Sequence, residues 1–265
     1  MAVVTPALVG ACSSSADDAS TNSVAVADPT QPPVSTSAPT ADPTSAPAAD
    51  PTAAPADDTA GSAPADETNE SPLVWARANL GFVSAFVLAR GNTAAIVDTG
   101  VAGSADAIGQ TLGTLGLNYS DVAHVILTHN HGDHAGSIGE VLAQAINATA
   151  YAGEADLGSI PGDISGLVGG EDIFGFEMLP TPGHTAGHMA VIDHQAGVLV
   201  AGDAIFTEDG GVVEGPARFF ADVPESRESI RAMAAQTFNT LLVGHGEPIE
   251  QGADTAVAAL AASLG

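Results

Sequence analysis

The chain has 265 residues with 32 acidic and five basic side chains, a net charge of −27, no lysine and one cysteine. Phosphate backbones are bound by clustered Lys and Arg, so nucleic acid is excluded as a partner, and a lone cysteine excludes an intrachain disulfide. Composition splits the chain into residues 1–12, an Ala/Pro/Thr/Ser/Asp tract over 13–72, and a region over 73–265 long enough for one domain with a real core.

Near the N-terminus the apolar run Leu8-Val9-Gly10-Ala11 precedes Cys12 and then Ser13-Ser14-Ser15. This arrangement resembles a bacterial lipobox, which implies a signal segment, a lipid on Cys12 and an extracytoplasmic place at the cell envelope; the alternative is an ordinary N-terminus with a chance cysteine on a cytoplasmic protein. The tract that follows repeats Ala-Asp-Pro-Thr at 27–30, 41–44 and 49–52 and has no basic residue. Such a composition cannot bury enough apolar surface to offset its ordering entropy, so a disordered stalk is expected. The tract carries ten of the 32 acids, which leaves 22 acids against five arginines, a balance of −17, in the folded part. No segment approaches the ~20 apolar residues of a membrane span.

The folded region opens with an apolar run at 83–89, punctuation at Arg90-Gly91-Asn92 and a second run at 94–97, which reads as a hairpin ending at Asp98. Residues 104–115 place Ala107, Ile108, Leu112 and Leu115 at helical spacing behind Ser104 as a cap. A buried strand is expected over 122–127, a helix over 135–146 and a short strand over 147–151. The Gly-rich stretch 158–170 reads as a loop near the site. Strands follow at 174–179, 189–192, 198–201 and 240–243, with helices at 224–237 and 254–262.

The most informative segment is Thr128-His129-Asn130-His131-Gly132-Asp133-His134, directly after the apolar Val125-Ile126-Leu127. Imidazole and carboxylate are ligands of Zn²⁺ and similar divalent ions. Burying four such groups this close together without an ion would cost several kcal/mol. Asp98, His129, Asp203 and His245 each follow an apolar strand, and layered α/β folds place their sites beyond strand ends. His124 lies inside a strand and reads as a packed core residue. His194 reads as an exposed turn residue.

His129-x-His131-x-Asp133-His134, then His184 in Pro-Gly-His-Thr, Asp203 in Ala-Gly-Asp and His245 in Val-Gly-His-Gly, resembles in order the metallo-β-lactamase superfamily of hydrolases. The resemblance covers about 98–246 and implies an α/β fold, a four-layer αβ/βα sandwich with its metal site at one edge of two sheets. It implies two Zn²⁺ per chain, with iron or manganese open to the same all-N/O ligand set. His129, His131 and His184 would hold the first ion. Asp133, His134 and His245 would hold the second, and Asp203 would bridge them. Asp98 would orient a ligand histidine through its free ring nitrogen, and His188 would support the His184 loop.

The activity implied is hydrolysis by a hydroxide between the ions, with Asp133 orienting it. Asp203 at the bridging position resembles the glyoxalase II thioesterase and lactonase branches. Residues after His245 carry no basic side chain for glutathione. An ester, lactone or thioester of a neutral small molecule is therefore expected. Phe206, Phe219, Phe220 and the 158–170 loop are candidates for the pocket wall. Three alternatives stand beside this reading: a persulfide dioxygenase-like oxidoreductase with one Fe²⁺ on His129, His184 and Asp203; a true β-lactamase; and a tethered, non-catalytic binding protein.

Overall fold

The computed structural model describes residues 71–265. The Cys12 site and the tract up to residue 70 lie outside the described residues. Thirteen strands and four α-helices follow in order: β1 (Leu73–Asn79), β2 (Ser84–Arg90), β3 (Thr93–Val97), α1 (Ala105–Thr114), β4 (Val122–Ile126), α2 (Ile138–Gln144), β5 (Thr149–Gly153), β6 (Ser165–Leu167), β7 (Asp172–Ile173), β8 (Phe176–Pro180), β9 (Met189–Asp193), β10 (Val198–Val200), β11 (Phe206–Glu208), β12 (Gly211–Val213), α3 (Val223–Ala234), β13 (Thr240–Leu242) and α4 (Ala253–Ser263). One sheet has the order β1-β2-β3-β4-β5-β6, the second β13-β10-β9-β8-β7, and β11 and β12 form a separate hairpin.

Strand alternation builds four layers. Successive side chains of a strand face opposite sides of its sheet. In β2, Ala85, Val87 and Ala89 pack with Ile108, Leu112, Ile138 and Val141 of α1 and α2. Phe86 and Leu88 of the same strand face Met189 and Val191 of β9 and Val198 and Val200 of β10. The alternate residues of the second sheet, Ala190, Ile192 and Leu199, pack on Ile230 and Met233 of α3 and Val257 of α4. The order is therefore helices, sheet, sheet, helices. Both sheets are covered on both faces, which is why β2 is buried along its whole length.

Two fasteners join the sheets. At one edge the backbone N–H of Met189 donates to Thr128 O at 2.8 Å, and Ser84 N–H donates to Gly244 O at 2.9 Å. At the opposite edge the guanidinium of Arg90 is buried against the carboxylate of Asp193. It also donates to Ser71 O at 2.9 Å and lies over the Phe176 ring.

Several elements differ from the sequence reading. β1 extends the first hairpin, pairing antiparallel with β2 over its whole length. Its register leaves Val74 and Asn79 exposed, so its apolar signal is weak. The stretch 158–170 contains β6, which pairs parallel with β5, and is preceded by a 3₁₀ turn over Glu154–Ser159. Ser104 sits at the N-terminus of α1, but its side chain caps nothing; instead its N–H donates to Ser137 Oγ at 2.8 Å. α2 begins at Ile138, three residues later than expected, because His131 O accepts from the N–H groups of His134 and Ala135 in a tight turn first. The β11–β12 hairpin has no counterpart in the sequence reading.

Candidate metal centre

The site lies where chain leaves the strands at one edge of the sandwich. Asp98 follows β3, the segment 128–134 follows β4, Asp203 follows β10 and His245 follows β13. His184 and His188 sit in the loop between β8 and β9. Strand ends are fixed in place by the ladder, while the residues just beyond them are free to converge. Gly244 makes this convergence possible, since a Cβ there would overlap Asp203 Oδ1 and the ring of His134.

Two groups of ligand atoms form. In the first, His131 Nδ1 lies 3.1 Å from His129 Nε2 and 2.9 Å from His184 Nε2. His129 Nε2 and His184 Nε2 are 3.2 Å apart. A tetrahedral ion with metal–nitrogen bonds of 2.0–2.1 Å spaces its ligand nitrogens about 3.3 Å apart. In the second, His245 Nε2 lies 3.3 Å from Asp133 Oδ2, and His134 Nε2 lies 4.0 Å from the same oxygen. Asp203 touches both groups. Its Oδ2 is 3.4 Å from His184 Nε2 and 3.2 Å from His245 Nε2, and its Oδ1 is 3.2 Å from His134 Nε2.

The donor set fits divalent ions. His134 Nε2 and Asp203 Oδ1 are buried and face each other 3.2 Å apart, with no further hydrogen-bond partner among the described residues. Neither atom is committed elsewhere, so a cation between the two would bind both. All donors are nitrogen or oxygen, which suits zinc, iron or manganese.

Hydrogen bonds behind the rings fix which nitrogen faces the centre. Asp98 Oδ2 accepts from Nδ1 of His134 at 2.8 Å. Asp98 also accepts from Thr128 Oγ1, which in turn lies 3.0 Å from Nδ1 of His129. One carboxylate thus sets two rings, one directly and one through a hydroxyl. Asp98 adopts a φ of +63°, a left-handed conformation. Thr128 N–H also donates to it at 2.8 Å. His245 donates from Nδ1 to the carbonyl of Phe82 at 2.7 Å. The Nδ1 of His184 has no partner among the described residues; that ring is held by the edge-on ring of Phe220, 5.1 Å away.

His188 lies behind the centre. Its Nε2 accepts from the N–H of Asp203 at 3.1 Å, Thr181 Oγ1 lies 2.8 Å from its Nδ1, and its carbonyl accepts from Thr181 N–H. It therefore steadies Asp203 as well as the loop that carries His184. Asp156 has no signal in the sequence. It is 2% exposed and accepts from Asn130 N–H, Thr185 Oγ1 at 2.7 Å and Gly187 N–H at 2.9 Å. It ties the loop of His129 and His131 to the loop of His184. His124 packs between the rings of Tyr151 and Phe174, and His194 is exposed and paired with Glu177.

Electrostatics divide the rings. Burial pushes His129 well below the usual histidine range, and burial likewise lowers His184 to about 4 and His188 to about 3. Burial also opposes charge on His134, but Asp98 and Asp203 outweigh it and raise that ring to about 10. At His245 burial is outweighed by Asp133 and Asp203, and it too rises to about 10. Hydrogen bonding to His245 lowers Asp133. Asp203 is opposed by burial but is held well below the carboxylate range by His134 and His245.

A cavity of about 500 Å³ opens onto the centre, walled by Phe82, Phe206, Pro216 and Phe219. Phe220 is not part of this wall; it backs His184 and Phe206 instead. Nor does the 158–170 stretch reach it. Leu167 and Val168 line a separate cavity of about 360 Å³.

The chain belongs to the metallo-beta-lactamase superfamily, whose family model matches residues 78–245. It is 31% identical over 198 residues to the uncharacterized protein YobT of Bacillus subtilis (strain 168), covering 62% of this chain and 83% of that protein. It is 34% identical over 137 residues to a hydroxyacylglutathione hydrolase of Synechococcus sp. (strain JA-3-3Ab), covering 50% of each. The chain thus spans about half the length of that enzyme. In fold it is similar to a metallo-beta-lactamase family protein of Thermus thermophilus, with a TM-score of 0.59 at 22% identity over 72% of this chain and 78% of that one. It is also similar to the metallo-beta-lactamase SMB-1, with a TM-score of 0.57 at 20% identity over 72% of this chain and 91% of the other. Both likenesses concern the fold.

Proposed function

We propose that this protein is a metal-dependent hydrolase that cleaves an ester, lactone or thioester bond at a pair of zinc ions. The single observation that carries the reading is the convergence of His129, His131 and His184 within 2.9–3.2 Å, with Asp203 in contact with both this trio and His245. His129, His131 and His184 would hold one ion, Asp133, His134 and His245 the other, and Asp203 both. Such ions, when bound, make water more acidic and polarise a carbonyl.

The chain's own residues do the rest. Asp133, at the cavity side of the cluster, orients the attacking water and takes its proton. The water oxygen adds to the carbonyl carbon, and the C–O or C–S bond then breaks. Asp133 returns the proton to the departing oxygen or sulfur. Asp98 and the Phe82 carbonyl accept from Nδ1 of His134 and His245, which turns the Nε2 atoms of these rings toward the centre. Relatives named hydroxyacylglutathione hydrolase support a hydrolytic reading. The iron dioxygenase reading uses only His129, His184 and Asp203 and leaves Asp133, His134 and His245 without a role. Cys12 and the tract after it support attachment to the envelope through a lipid.

The test is metal analysis of the purified full chain, together with a panel of lactones, thioesters, aryl esters and cephalosporins. The expected result is close to two zinc per chain and turnover of an ester, lactone or thioester that chelation abolishes. One iron per chain, or no hydrolysis by fully loaded protein, overturns the reading.

A further inference from the structure

We infer that the cavity beside the centre takes an uncharged, apolar acyl or aryl group of the substrate, inserted between Phe82 and Phe219. This inference rests on the hydrolytic reading above and assigns the substrate class for that same site.

Three observations carry it. Among the described residues, five large apolar side chains are exposed: Val74, Phe82, Ile146, Val168 and Phe219. Both aromatic members, Phe82 at 65% and Phe219 at 49% exposure, wall the cavity that opens onto the cluster. Aromatic rings kept in water at a cavity mouth are the usual mark of a surface that an apolar partner covers.

The rings are also placed with the chemistry. Phe82 and Phe206 lie nearly parallel to the His245 ring, at interplanar angles of 10° and 7° and centroid distances of 5.9 and 5.2 Å. An apolar group lying along these rings continues a stack that includes a residue of the cluster itself, so its carbonyl end is delivered to the ligand atoms.

The placement of the cationic side chains argues against an anionic substrate tail. Four of the five guanidiniums already face carboxylates: Arg77 with Glu247, Arg90 with Asp193, Arg227 with Glu214 and Arg231 with Glu228. The fifth, Arg218, lies over the Phe219 ring at 4.4 Å and is not part of the cavity wall. The cavity wall itself offers no guanidinium, so an anionic tail would enter it without a cationic side chain to pair with.

The test uses zinc-loaded full chain and p-nitrophenyl esters of acetate, butyrate, hexanoate and octanoate, with the glutarate monoester as the anionic member. The expected kcat/KM rises about three- to fourfold per added methylene, and the glutarate monoester falls below butyrate. Phe82→Ala and Phe219→Ala, both at exposed positions that do not threaten the core, are expected to flatten that slope. Calorimetric binding of octanamide to chelator-treated full chain gives a second readout, expected to weaken about tenfold in Phe219→Ala. A flat series with turnover intact overturns the inference and leaves the hydrolytic reading standing. So does a preference for the glutarate monoester that Arg218→Gln removes. Octanamide binding without hydrolysis of any ester supports the cavity assignment and sinks the hydrolytic reading.

Discussion

The two halves of the centre are built from the same residue types in opposite electrostatic states. At His129 and His184 of the trio burial outweighs the pull of Asp203, and both rings stay neutral. His134 and His245 are wrapped by Asp98, Asp133 and Asp203 and hold protons to about pH 10. These two rings are therefore ready for a cation as they stand. The other group carries protons where an ion would sit, and an ion must displace them. The difference shows that the partners behind each ring, rather than the ligand type, decide what each half must give up on loading.

The largest expected effect removes the residue common to both halves. Asp203→Ala is expected to lower kcat/KM at least about a thousandfold and to reduce metal content at both groups, read by kinetics and mass spectrometry. A variant that keeps one full ion and most activity would show that the halves work independently.

Next comes pH. Because His134 and His245 are protonated below about 10, uptake at pH 7 is expected to release roughly two protons there and almost none from His129 and His184. Affinity at that group should therefore rise with pH, by up to about 100-fold per unit between about pH 7 and 9, while His129 and His184 add nothing to such a rise. Calorimetry in buffers of different ionisation enthalpy counts the protons. Equal release at both groups would erase the contrast.

Asp98→Asn is expected to weaken metal binding about 10–100-fold. It should act on both halves, because Asp98 reaches His134 directly and His129 through Thr128. Competition against a zinc indicator reads this, and an effect confined to one group would break the proposed relay. The smallest effect is expected away from the centre. His194→Ala removes an exposed pair with Glu177 and should change stability by less than about 0.5 kcal/mol in urea unfolding.

Much of this centre is legible in the sequence, because its residues sit just after apolar strands and carry unmistakable side chains. Periodicity likewise locates β2, β3, β4, α1, α3 and the β9–β10 hairpin. What stays hidden depends on partners far along the chain. Asp156 lies in a short 3₁₀ turn with no motif, and its role exists only because Asn130, Thr185 and Gly187 come to it. Phe82 occupies an ordinary turn between β1 and β2, yet its carbonyl holds His245, 163 positions later. β1 itself has few buried positions, so its strand character comes from pairing with β2 rather than from its own pattern. Aromaticity alone puts Phe220 in the wall, but the chain turns it behind His184.

The buried Arg90–Asp193 pair has a bearing on whether the site needs an ion to keep its shape. It joins β2 to β9 at the end of the sandwich farthest from the cluster. Any sliding of one sheet past the other would strand two charges in an apolar interior, costing about 3–5 kcal/mol. The spacing between the half of the cluster delivered by the first sheet and the half delivered by the second is therefore pinned by a contact that owes nothing to metal. Stripped protein should keep its architecture and refill on demand, which makes the centre a socket rather than a rivet.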